Sequence, residues 1–509
     1  LDSVCTYNFI YILNILYKEG GGMLETFVNW LNNIVWSPAL VYLCLGVGLY
    51  FSIRTKFLQV RHVGEMVKLT FQGEKSEAGV SSFQALALSL SGRVGTGNIA
   101  GVATAVAFGG PGAVFWMWAV AFLGAGSAYV ESTLAQIYKT KHQGQFRGGP
   151  AYYIEKGLGV KWYALVFVAA TILATGLLLP GVQANSIAVS LETAFGINTT
   201  ASGAILVVVL ALIIFGGVKR IVNVAQVVVP FMAIGYILVA CVIVAMNIEK
   251  LPEAFMLIIR SAFALEAAFG GIIGLAISWG VKRGIYSNEA GQGTGPHAAA
   301  AAEVSHPAKQ GLVQAFSVYI DTLFVCSATA FMMIITGMYN VFDASGKNFI
   351  VNKLNGAQPG PGYTQAAVES VFPGFGNGFV AISLLFFAFT TIMAYYYIAE
   401  TNIAYLNRDK DRPWMSMVLK FVFLGAVFYG CIKTAATAWA LGDIGVGIMA
   451  WVNIIAILLL QKPALVALKD YEKQKKEGKD PVFDPGPLGI KNADFWEHEY
   501  GKDKKEEVS

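Results

Sequence analysis

The sequence predicts an all-α polytopic membrane protein of about eleven helices, two of them broken in mid-membrane, arranged as an inverted five-plus-five repeat with one extra N-terminal helix. Three observations predict it. Of 509 residues, 56% are hydrophobic and only 13% charged, with a mean hydropathy of +0.58; soluble domains carry roughly twice that share of charge. Apolar runs of about 20 residues, long enough to cross a bilayer, recur along most of the chain, and they are continuous rather than alternating, which implies helices and not a barrel. Glycines interrupt two of these runs, at "SGRVGTGNIAG" (91–101) and "EAAFGGIIGLA" (266–276).

Residues 1–22 precede Met23 and read as an upstream extension, set aside here. "FIYILNILY" (9–17) has no basic stretch before it and is not read as a signal peptide. Span 35–53 stands outside the repeat; with the stretch 57–74, too charged to span and read as an interfacial amphipathic helix, it makes an N-terminal unit over 23–79. The first repeat, 80–247, holds spans 80–108, 112–138, 162–190, 203–217 and 221–247. The second, 248–461, opens on another interfacial stretch (251–263) and holds spans 266–282, 311–337, 377–406, 414–432 and 435–461. A broken span leads each set, and the odd offset of five sends the second set in from the opposite face. The segment 462–509 is rich in Lys and Glu and reads as a solvated, mostly disordered tail.

Basic residues orient the spans. Loops on one side carry eighteen, among them Arg54, Lys68, Arg147, Lys156, Lys219, Lys282, Arg283 and Arg408, against six on the other, and the tail adds ten lysines to the richer side. The positive-inside rule then predicts an N-terminus outside and a C-terminus in the cytoplasm.

Unwound backbone is costly in hydrocarbon unless it lines a polar cavity. At 91–101 it offers N–H groups to a carboxylate and C=O groups to cations, and glycine lets a ligand approach the chain. An amino-acid zwitterion needs both kinds of group. The same spacing also suits a helix-packing face. A nucleotide-binding loop is disfavoured because no strand precedes it. Arg93 reads either as a structural cation or as part of a gate.

The stretch "SSFQALALSLSGRVGTGNIAGVATAVAFGGPGAVFWMW" (81–118) resembles the signature of the alanine or glycine:cation symporter family. "KRGIYSNEAGQGTGPHAAAAA" (282–302) and "PGVQANSIA" (180–188) resemble two further motifs of that family, and the similarity runs from about residue 25 to 460. The resemblance implies a fold like that of the leucine transporter, and symport of small neutral amino acids, alanine or glycine, with sodium or, in some members, protons. It implies that the Thr96 and Gly97 amides, within Gly95–Asn98, hold the substrate carboxylate and that the Arg93 carbonyl receives the ammonium. It assigns sodium to the Ser91, Val94 and Phe387 carbonyls and to Thr390 and Thr391.

Gln183 and Asn185 are further pocket candidates on the fourth span. Phe269 and Gly270 mark the second break, where Phe269 either caps the pocket or simply packs. Asp321 either balances Arg93 or touches a cation. Glu131 and Glu400 read as interfacial pairs, and Ser287, Asn288 and Glu289 as an inner gate. The five cysteines are far apart and read as small buried hydrophobes, while all five histidines are placed outside the spans, which excludes an intramembrane histidine relay. With no Ser/His/Asp set, no HExxH and no Walker A lysine, enzyme chemistry and ATP hydrolysis are unsupported. The expected partners are a small amino acid, sodium and the lipid bilayer of the cell membrane, with no nucleic acid or nucleotide. A proton-coupled carrier is the alternative and a channel the more distant one.

Overall fold

A computed structural model describes residues 23–73, 78–410 and 412–500. The extension 1–22, with Cys5 and Lys18, and also Lys75 and the lysines beyond Tyr500, lie outside the described residues. The chain is helical, as expected, with two small hairpins in its loops.

Helix α1 (Met23–Val35) turns at Ser37 into α2 (Pro38–Arg54), where Pro38 takes the first-turn position that needs no N–H. Short helices α3 (Leu58–Arg61) and α4 (Val63–Phe71) follow as the expected interfacial stretch, with Leu58, Met66 and Leu69 buried. The first broken helix is α5 (Ser82–Arg93), begun by a Ser81/Gln84 capping box, then extended backbone at Val94, a π turn (Gly97–Gly101) and α6 (Val102–Gly109). Helix α7 (Gly112–Ile137), hairpin β1 (Thr140–His142) and β2 (Gln145–Arg147), and short α8 (Pro150–Tyr153) come next. Then follow α9 (Lys161–Leu173), continued through a π turn into α10 (Leu179–Phe195), α11 (Thr199–Ile214) and α12 (Val218–Met246).

Helix α13 (Leu251–Ala262) bends by 46° into α14 (Ile273–Asn288), and α15 (Gly295–Ala300) follows. Helix α16 (Pro307–Tyr319) passes through a π turn, Ile320–Cys326, into α17 (Ser327–Thr336). Hairpin β3 (Asn340–Phe342) and β4 (Phe349–Asn352) and helix α18 (Pro361–Val371) lead to α19 (Gly376–Asn407), α20 (Pro413–Ile432) and α21 (Ala435–Leu459). Among the described residues, eight helices are long and apolar enough to cross a membrane alone; the two broken helices and α11 run beside them.

The second break is not at 266–276. That stretch forms one tight turn leading into α14, whereas the helix opens at 289–294, "EAGQGT", between α14 and α15. Glu289 starts the opening in a left-handed conformation (φ 56°), followed by Gly291 (79°) and Gly293 (92°). The two broken helices lie antiparallel with their openings level. A Cβ built on Gly97 would stand 3.1 Å from Ser287 Cα, and one on Gly92 3.3 Å from Glu289 Oε2. Val80, before α5, pairs with Ala302, after α15. Helix α7 packs along α14, α15 and α16 and so backs both openings.

Lys282 and Arg283 are not loop charges. Both are buried on α14, where Asp443 of α21 pairs with them at 2.7 and 2.6 Å. The count that oriented the chain loses those two and keeps its sign.

The tail is not disordered as far as Tyr500. Helix α22 (Gln461–Lys476) continues α21, and a strap ends in α23 (Asp494–His498) with Phe483, Ile490, Phe495 and Trp496 buried. Phe483 N donates to Ser305 O (2.9 Å), Trp496 Nε1 to Gln136 O (2.8 Å), and Lys156 pairs with Asp494 at 2.7 Å. The Lys139 ammonium lies over the rings of Phe146, Phe495 and Trp496. Apolar side chains spaced through a charged run anchor the strap, at about 1.5–3 kcal/mol for each large one buried. Trp496→Ala should release it: limited proteolysis should cut the variant between residues 477 and 493 under conditions that leave the parent chain intact.

Candidate functional site

At the first opening Gly92, Gly95 and Gly97 leave space that neighbouring helices fill with polar groups. Gly95 N donates to Asn98 Oδ1 (2.8 Å), and Thr96 N donates to Gln183 Oε1 of α10 (2.9 Å). A Cβ on Gly95 would overlap Thr391 Oγ1 and stand 2.8 Å from Gln183 Oε1. Five of the residues read as substrate-binding, Gly95, Thr96, Gly97, Asn98 and Gln183, therefore come together, and they meet the threonine pair of α19. Thr390 Oγ1 and Thr391 Oγ1 both donate to Phe387 O (2.9 and 3.0 Å), and Thr391 Oγ1 reaches Val94 O at 3.4 Å. Ser91 is buried on the last turn before Val94.

Phe269 and Gly270 are not at this place. Phe269 packs on Gly110, which lies thirteen residues beyond Gly97, about 20 Å along a helix. Gly270 has no neighbouring atom where a Cβ would stand. The residues the second broken helix brings to the first opening are Tyr286 and Ser287. Tyr286 is buried and its ring lies tilted against Trp439, centroids 4.9 Å apart. Asn185 also leaves the pocket: its amide donates to Gly430 O and Lys433 O at the end of α20.

Arg93 does not snorkel; it is 1% exposed, and its guanidinium donates to Gln314 and Ser317 of α16. Asp321 is not paired with it directly. The Asp321 carboxylate accepts from Asn98 Nδ2 (2.6 Å), Ser287 Oγ (3.0 Å) and Thr322 Oγ1 (2.7 Å), fastening both broken helices to the α16–α17 turn. Cys326 Sγ sits in the same cluster, 3.3 Å from Asn98 and from Ser287, so it is more than a small hydrophobe.

Glu400 does form an interfacial pair, with Arg147 at 2.7 Å, but Glu131 does not. Glu131 is fully buried and accepts from Gly291 N (3.1 Å), Gly293 N (3.2 Å) and Asn453 Nδ2 (2.8 Å), so a built-in carboxylate occupies the amides of the second opening. Nor do all histidines lie outside the spans: His297 is buried on α15, its ring bonded to Thr294 O and Asn402. The spacing Gly291-x-Gly293 after a polar "SNE" was the available signal for this second opening. The partners Glu131 and Asn453 are some 160 residues away in either direction, which periodicity does not reveal.

The arrangement sets the backbone N–H groups of Gly95 and Thr96 next to the Val94 carbonyl, which Thr391 joins to that of Phe387. The model of the sodium:alanine symporter family matches residues 22–485. The protein YrbD of Bacillus subtilis (strain 168) is 69% identical over 477 residues, which cover 94% of this chain and 98% of the relative. The sodium/proton-dependent alanine carrier protein of Bacillus sp. (strain PS3) is 58% identical, covering 86% and 98%. The sodium/alanine symporter AgcS of Methanococcus maripaludis is 38% identical, covering 89% and 98%.

Proposed function

Because the chain belongs to the sodium:alanine symporter family, we propose that it carries alanine and glycine into the cell with sodium, by alternating access around the two openings. It is a multi-pass membrane transporter and not an enzyme. One observation carries the reading: Gly95 lies between Gln183 and Thr391, so the amide end and the cation end of the site share a single residue. Four membrane-crossing units follow the first broken helix before the second, and four follow the second, which supports the five-plus-five repeat with α2 as the extra helix. The basic face carrying the strap is the cytoplasmic one in this reading. Transporters of this architecture bind at the midplane between their broken helices.

The substrate carboxylate replaces Gln183 Oε1 on the Thr96 amide, and sodium takes the Val94 and Phe387 carbonyls with the Thr390 and Thr391 hydroxyls. Tyr286 and Trp439 wall the site. Labelled alanine uptake into proteoliposomes under separately imposed sodium and proton gradients tests this. A sodium gradient should drive accumulation; its failure to do so, with a proton gradient succeeding, would leave the proton-coupled alternative. Thr391→Ala removes one oxygen from the ion's shell and should weaken sodium about tenfold, with alanine binding recovering at high sodium, since the two ligands strengthen each other by one factor. Lost alanine affinity at unchanged sodium dependence would place Thr391 on the substrate instead.

A further inference from the structure

We propose that Glu289 is a proton-binding site of the transport cycle and that it exchanges its proton with the strap-bearing face. The proposal rests on the transporter reading above. Glu289 is 1% exposed and held in a left-handed backbone conformation at the second opening. Strain of that kind in a residue other than glycine persists where the surroundings enforce it, and it gathers at functional sites. Its Oε2 accepts from Thr294 Oγ1 at 2.8 Å, and its Oε1 has no hydrogen-bond partner.

The carboxylate opens into a small cavity with room for about one water molecule, walled by Ser89, Gly92, Thr294, Gly295 and Tyr397. The Ser89 hydroxyl is also buried and unpartnered. Behind Tyr397 lies a wider pocket of about 200 Å³, lined by Gln84, Gln145, Lys219 and Phe146, the last packed on Phe495 of the strap. Tyr397 lines both cavities.

Glu289 shares this buried region with other ionisable groups. Arg93 of α5 faces three buried carboxylates: Glu289, Glu131 of α7 and Asp321 of the α16–α17 turn. Tyr286 of α14 and Tyr395 of α19 also face Glu289, and His297, on α15 beyond the opening, has both ring nitrogens already bonded. Glu131 and Asp321 each accept three hydrogen bonds, so their oxygens are already engaged. Glu289 accepts one. Three carboxylates share one guanidinium here, so negative charge is in excess, and a proton on Oε1 reduces it. A metal ion would find one carboxylate oxygen and a hydroxyl, beside a guanidinium that repels it. The proton arrives on Oε1 from water in the wider pocket and leaves by the same way, with no other reactant.

The test uses the purified full chain in proteoliposomes with equal sodium on both sides. An inward proton gradient should accumulate alanine and acidify the lumen, read with an enclosed pH dye. Glu289→Gln should lose both while keeping alanine counterflow, and its sodium-driven uptake should no longer vary with pH. Proton-driven accumulation in Glu289→Gln, or its absence from the unaltered protein, would overturn the proposal. Sodium-driven alanine uptake at one fixed pH tests the transporter reading separately. Should Glu289→Gln fail to fold, Ser89→Ala decides: it should move the pH midpoint of uptake by at least about half a unit, and an unchanged profile would overturn the proposal.

Discussion

Gly95→Ala should abolish sodium-dependent alanine binding while leaving the folded protein within a few degrees of its original melting temperature. The added methyl has no room. It overlaps Thr391 Oγ1 and comes within 2.8 Å of Gln183 Oε1 and 3.2 Å of Thr391 Cβ. Thr391 is β-branched and stiff at χ1, and its hydroxyl is committed to the Phe387 and Val94 carbonyls. If Thr391 moves, the cation loses a ligand; if Gln183 moves instead, the methyl still stands where the substrate carboxylate must reach the Thr96 amide. Two hydrogen bonds to charged groups, at about 1.5 kcal/mol or more each, amount to roughly a hundredfold in affinity. The opening is already non-helical, so little regular hydrogen bonding is lost elsewhere. Equilibrium binding of labelled alanine across a sodium series, beside a melting curve, measures both halves. Gly46→Ala, whose Cβ would meet nothing within 4 Å, is the neutral control. Unchanged alanine affinity in Gly95→Ala would remove this opening from the transport site.

The first opening was legible because its evidence is local. Three glycines, an arginine and an asparagine within seven residues contradict an uninterrupted span, and no distant partner is needed to see it. The second opening was misplaced because "FGGIIG" at 269–274 looks like a glycine break in an apolar run, while "KRGIYSNEAGQG" looks like a loop. Lys282 and Arg283 can be buried only because Asp443 neutralises them from 160 positions away, and no periodicity reports that. Glu131 was hidden for the same reason. The threonine pair was found through family resemblance rather than from its own residues. The strap was missed because its composition averages to polar. Its four buried apolar side chains matter by position, against Lys139 and Gln136, and not by proportion.

Asp443→Asn should be the most destabilising of the single substitutions considered, at about 3–5 kcal/mol, the cost of removing one partner from a buried ion pair. Arg283 meets the Asp443 carboxylate through two nitrogens, at 2.6 and 3.1 Å, and Lys282 adds a third contact at 2.7 Å. Aromatic rings surround the cations: Arg283 lies 4.2 Å over Trp439, and Lys282 5.1 Å over Trp279. Trp36 Nε1 donates to Asp443 O, which ties the α1–α2 turn to the same point. An amide in place of the carboxylate leaves two desolvated cations facing neutral groups alone: the ring faces, Asn32 and the new amide oxygen. Lys282→Met should cost far less, since the Arg283–Asp443 pair survives it and an apolar chain suits the aromatic surroundings. Asp443→Asn combined with Lys282→Met and Arg283→Met should recover most of the loss, because a buried charge removed with its partner is often neutral. Melting curves of the three variants in detergent give that order. The brace also serves transport: Tyr286, one turn beyond Lys282 and Arg283 on α14, packs on Gly97, so a loosened α14 no longer presses on the first opening. If Asp443→Asn melted like the unaltered protein yet lost alanine binding, Asp443 would belong to the transport site itself and not to the frame that holds it.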